Sequence, residues 1–148
     1  MSRIWTQCEK VRSLIDSQFG SRLNSITLTP QYMVDLKEDS SLKPDLIIIP
    51  RTEIYTKAAR KYDKTDVSMY IEIRKKTQKG NETSDFEDFL DICEDIKDYL
   101  RSPDRHQADN TLGVFSDIVH DPLYSDPHIN EKKMLVGVIT YTVAVISP

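Results

Sequence analysis

Glycine is scarce in this chain. Four occur in 148 residues, Gly20, Gly80, Gly113 and Gly137, and no two stand close together. A phosphate-cradling loop needs grouped glycines so that backbone N–H groups can approach the ligand, which excludes the common nucleotide-binding loops. Cysteine is scarcer still. Cys8 and Cys93 lie far apart among apolar neighbours, so no multi-disulfide scaffold can form, and buried free thiols of a reducing compartment are expected. No serine or cysteine stands in a nucleophile motif. Long hydrophobic runs are missing too. The most apolar stretch, "MLVGVITYTVAVI", is too short for a bilayer and carries the hydroxyls of Thr140, Tyr141 and Thr142. The opening "MSRIWTQCEKVRSLI" lacks the apolar segment of a secretory signal. Neither a membrane span nor a signal is therefore expected. An excess of positive charge is absent as well: 20 Lys and Arg against 24 Asp and Glu leave a net charge of −4. Phosphate backbones and anionic lipid surfaces are gripped by clustered cations, so non-specific binding to either is not expected, and no sequence-specific nucleic-acid contact is expected among its partners.

What is present is an ordinary globular balance, 39% hydrophobic and 30% charged, suited to one domain over residues 1–148. Ile4, Cys8, Val11, Leu14, Ile15 and Phe19 recur at helical spacing and predict a helix over about residues 3–19, with Gly20 as its stop. "SITLTP" and "YMVDL" read as extended chain. "DLIIIP" reads as a strand buried on both faces and closed by Pro50. "RTEIYTKAARKYDK" is polar and weakly alternating, and fits either an edge strand with a loop or a protruding hairpin. "VSMYIEIRKKT" alternates: Val67, Met69, Ile71 and Ile73 face one way, Ser68, Tyr70, Glu72 and Arg74 the other. The second face is expected to be wet or paired with polar groups. "SDFEDFLDICEDIKDYLRS" predicts the best-marked helix, with Ser84 and Glu87 as a capping box and six acidic residues opposite the apolar stripe. "TLGVFSDIV" and "MLVGVITYTVAVI" predict two further strands, the last one central because both its faces are apolar. The expected fold is α+β: a mixed, mainly antiparallel sheet of four to six strands with two helices packed on one face. Extended loops are expected near 51–64 and 120–133.

Three groups of residues invite chemistry. Pro44-Asp45 followed by Glu72-x-Arg74 resembles the Pro-Asp … Glu-x-Lys pattern of metal-dependent nucleases, in which two carboxylates on neighbouring strands hold Mg²⁺. Arg74 stands where that pattern needs a lysine, and a guanidinium does not readily shuttle a proton. The simpler reading leaves Glu72 and Arg74 solvated or paired across the sheet. His120, Asp121, Asp126 and His128 fall within "HDPLYSDPH" and carry donors suited to zinc or manganese. Their spacing matches no metal motif, and two prolines mark an ordinary surface loop. Lys57, Arg60, Lys61 and Lys64, interleaved with Tyr55 and Tyr62, form a basic segment suited to a charged protein contact.

The pieces "TLTPQYMVDLKE", "LIIIPRTE", "DVSMYIEIRKKT", "FEDFLDICEDIKDYL", "DPLYSD" and "MLVGVITYTVAV" follow one another in an order that resembles small virion proteins of tailed phages, of the tail terminator or neck type. The resemblance runs from about Leu23 to Ile146 and departs at Met134, where an aromatic would stand. It implies a non-enzymatic head–tail joining subunit without cofactor or metal. It also implies a ring, commonly a hexamer, that caps the tail tube and meets tail tube, sheath and connector proteins in a virion assembled in the host cytoplasm. On that reading two segments supply contact surface: Arg51, Tyr55, Lys57, Arg60, Lys61 and Lys64 in the first, and His120, Asp121, Tyr124, Asp126, His128, Lys132 and Lys133 in the second.

Overall fold

The computed structural model describes residues 2–30, 43–59, 62–76, 83–102, 114–121, 123 and 134–147. Its elements are α1 (Arg3–Phe19), a short 3-10 turn (Gly20–Arg22), β1 (Ser25–Leu28), β2 (Asp45–Ala59), β3 (Tyr62–Lys76), α2 (Thr83–Arg101), β4 (Val114–His120) and β5 (Met134–Ser147). The strands form one five-stranded sheet in the order β1-β2-β3-β5-β4. β1 runs parallel to β2 and every other pairing is antiparallel. The fold is the α+β arrangement that the residue pattern predicts, and β5 lies inside the sheet between β3 and β4.

One core joins both helices to one sheet face. Cys8, Val11, Leu14, Ile15 and Phe19 of α1 and Phe89, Ile92, Cys93, Ile96 and Leu100 of α2 pack with Leu46, Ile48, Val67, Met69, Ile71, Ile73, Leu135, Ile139, Tyr141 and Val143. Each large side chain buried there is worth about 1.5–3 kcal/mol, which outweighs helix propensity. Phe19 meets Tyr99 edge-on at 5.9 Å, so the helices touch. Tyr141 Oη donates to the Leu100 carbonyl at 2.8 Å, tying the end of α2 to β5. Both cysteines are free and buried, and burial pushes each thiol up to about 12. Glu87, Asp88, Asp91, Glu94, Asp95 and Asp98 are all exposed on α2.

Gly20 stands as the C-cap of α1, as the sequence predicts, though not through a left-handed turn: its φ is −55° and the chain tightens into the 3-10 turn before Leu23 extends. At the other end the Ser2 side chain caps α1 by accepting from the Trp5 N–H at 3.2 Å. α2 begins at Thr83, one residue before the Ser84 that the sequence reads as its start. Pro50 does not close β2. The Thr29 N–H donates to the Ile48 carbonyl, so the backbone groups of Ile48 face β1, and two residues on those of Pro50 face the same side. β1 ends at Leu28, opposite Ile48. Among the described residues the missing N–H of Pro50 therefore falls on an open edge and breaks no ladder bond.

Candidate interaction surface

β2 and β3 form a long hairpin, paired from Asp45↔Arg74 out to Ala59↔Tyr62. The segment from Arg51 to Lys64 is thus the outer part of two strands, the second of the two alternatives open to its sequence, and not a loop. Its root is firm: Leu46, Ile47, Ile48, Ile49, Val67, Met69, Ile71 and Ile73 are buried. On the β2 side its outer half is bare, with every residue from Arg51 to Lys57 exposed, whereas on the β3 side Thr65 is buried and Asp63, Lys64 and Asp66 are half-buried beside β5. The N-terminal end of α1 supports it from one face. Arg3 donates to Thr65 Oγ1 at 2.9 Å and lies 3.8 Å from Glu53.

The arm carries both signs of charge. Arg51, the extra residue at a bulge between Pro50 and Thr52, stacks its guanidinium 4.9 Å from the centre of the Tyr70 ring. Tyr55 Oη donates to Asp63 Oδ1 at 2.8 Å, and that bond raises the phenol pKa. Lys64 lies 3.7 Å from Asp66. Glu53, Asp63 and Asp66 therefore temper what reads in sequence as a basic stretch. Arg60 and Lys61 lie outside the described residues. Ile54, 58% exposed beside Tyr55 at 62%, is a contact candidate that composition alone passed over. Its signal was the alternation in "TEIYTK", which shows that the stretch is a strand without showing which side stays open.

The second segment lies elsewhere. His120 ends β4 and pairs with Ile139, at the level of Ile71 and Ile48, whereas Asp63 near the hairpin tip pairs with Ser147. Among the described residues, His120 and Asp121 do not lie beside the Arg51–Lys57 stretch. Asp121 closes β4 by donating its N–H to the Val138 carbonyl at 2.9 Å and is exposed. Tyr124, Asp126, His128, Lys132 and Lys133 lie outside the described residues. His120 is turned inward: its Nε2 is buried and has no hydrogen bond among the described residues. Among those residues no group of three or more His, Cys, Asp or Glu side chains could hold a metal ion.

Burial, followed by the charge of Lys97, holds the His120 imidazole below its ordinary 6.5; a backbone bond at Leu123 and the Asp121 charge oppose this more weakly. The sign follows from linkage. An unfolded histidine takes up a proton near pH 6.5, the folded one only at lower pH, so acid favours the unfolded chain. Stability is expected to fall as pH drops below about 6.5, and His120→Gln should flatten that slope in urea titrations at stepped pH.

Glu72 and Arg74 do not occupy a watery face. They are 1% and 4% exposed, and the Arg74 Nε–H donates to Glu72 Oε1 at 3.1 Å along the same strand. Ile47, Ile49 and Val136 are buried on this second sheet face beside them. Asp45 stands on the same face, opposite Arg74 and diagonal to Glu72. Its Oδ1 accepts from Asn24 Nδ2 at 2.9 Å and from Ser25 Oγ. The two carboxylates of the nuclease pattern are neighbours, each engaged by protein donors. Among the described residues no helix is long and apolar enough to cross a membrane. No known family model matches the chain, and no curated protein matches it either.

Proposed function

We propose that this chain is a structural subunit of a tailed-phage virion, a tail terminator or neck protein that forms a head-to-tail ring, caps the tail tube and joins it to the head. The observation that carries this reading is the outer strand of the hairpin: β2 is rooted in a sealed core and is exposed from Arg51 to Lys57. A solvent-facing outer strand in a sheet of mixed charge is suited to docking on a neighbouring subunit, where charge sets register and partner choice. The order helix, strands, helix, strands agrees with the family that the sequence resembles, and many modest contacts around a ring add up through multivalency.

Electron microscopy of the purified protein is expected to show rings. Charge reversal at Arg60→Glu with Lys61→Glu, between β2 and β3 in the chain, should impair particle assembly and leave circular dichroism and melting of the subunit unchanged. Normal particles from that variant would count against the reading. The nuclease reading has its own assay, Mg²⁺- or Mn²⁺-dependent nicking of plasmid DNA that is lost in Glu72→Ala.

A further inference from the structure

Among the described residues the outer edge of β2 is open beyond β1. β1 covers β2 only from Asp45 to Ile48. Beyond it, register shifts at Pro50/Thr52 and Lys57/Ala59 leave one straight window between them, Thr52–Lys57, in which every residue is exposed. Alternation decides which backbone groups face out. Ile48 points its groups toward β1, so Ile71 opposite it points toward β5. β3 carries no extra residue in either ladder, so Val67, Thr65 and Asp63 also turn toward β5. Their partners Glu53, Tyr55 and Lys57 then present N–H and C=O groups to the open side. Among the described residues nothing pairs with them.

An open edge of this kind templates another strand, and charged side chains normally block it. Here the charges are arranged symmetrically. Glu53 stands two residues before Tyr55 and Lys57 two after it. Laid antiparallel on a second copy of itself about Tyr55, the window sets Glu53 opposite Lys57 twice, Ile54 opposite Thr56 twice, and Tyr55 opposite Tyr55. Registers centred on Glu53 or on Lys57 oppose like charges, and so does in-register parallel pairing. We propose that Thr52–Lys57 is a self-complementary pairing strand that joins two copies of this chain across a two-fold axis at Tyr55. The sheet of one copy then continues into the other. The contact does not depend on the ring proposed above, because a head-to-tail ring joins two different surfaces.

Directly opposed residues in hydrogen-bonded antiparallel pairs lie about 5.5 Å apart at Cα, within disulfide range. Cys8 and Cys93 are 0% exposed and do not compete. Oxidised Tyr55→Cys protein is therefore expected to run as a disulfide-linked dimer, and Ile54→Cys to remain uncrosslinked. In sedimentation velocity, Lys57→Glu and Glu53→Lys should each weaken self-association about tenfold or more, since each change creates two like-charge oppositions. The double variant Glu53→Lys with Lys57→Glu should restore it. All three positions are exposed, and circular dichroism checks that each variant folds. Equal cross-linking of Tyr55→Cys and Ile54→Cys, no cross-link in either, or a double variant as weak as the single ones would overturn the proposal. The first two outcomes point instead to a ring contact or an unrelated partner at this edge.

Discussion

Arg74→Ala is expected to lower the unfolding free energy by about 3–5 kcal/mol, the range found when one member of a buried ion pair is removed. Glu72 is 1% exposed and Arg74 4%, so the remaining carboxylate would face burial without its neighbouring guanidinium. Urea titration reads this as a lower midpoint at unchanged slope. The control is the double variant Glu72→Leu with Arg74→Met. It removes both charges and keeps apolar volume, and its stability should return to within about 1–2 kcal/mol of the parent, because the desolvation cost of both ions disappears with their attraction. If Arg74→Ala alone proves neutral, the pair is not sealed from water. In that case Glu72 is open to solvent or to a cation, and the nuclease reading gains ground.

Gly137→Ala should destabilise the fold by about 2–3 kcal/mol, and Gly137→Val by more. The reason is space rather than backbone freedom. A Cβ at Gly137 would sit 2.6 Å from the Leu123 carbonyl oxygen, 2.9 Å from His120 Nε2 and 3.2 Å from Phe89 Cζ. The first is backbone, just beyond the end of β4, and the third belongs to a ring that is 0% exposed in the core. Relief requires moving the chain after β4 away from β5 or displacing α2, and a close-packed interior resists both. Thermal melting of Gly137→Ala beside Gly20→Ala separates this from a general glycine effect. Gly20 meets only the carboxyl end of the Asp16 side chain, at 3.0 Å, which can rotate away, so its replacement should cost little.

The elements and their inward faces were legible in the residues because apolar period reports burial directly. Spacings of three and four drew α1 to its observed ends, Arg3–Phe19. Alternation placed Val67, Met69, Ile71 and Ile73 in the core, and apolar residues on both faces marked β5 as an inner strand. Boundaries that depend on neighbours were not legible. Pro50 looked like a stop because its lost N–H matters only if a strand lies beside it, and the one beside it, β1, ends first. "RTEIYTKAARKYDK" left loop and hairpin both open, since pairing partners decide which one forms.

Chemistry showed the same division. Composition fixed from the start that grouped glycines, a disulfide scaffold and a strongly basic surface are missing. Candidates such as Asp45, Glu72, Arg74 and His120 could be picked out by residue type. Their surroundings could not. That Arg74 turns along its own strand to a buried Glu72, that His120 points inward beside Gly137, and that among the described residues the edge from Thr52 to Lys57 stays open are outcomes of strand order and register. Sequence by itself determined which residues avoid water and with what period, because that is a property of each side chain and its near neighbours. Only the tertiary structure decided which polar groups share a burial site and which backbone edge is left without a partner, because both depend on contacts between segments far apart in the chain.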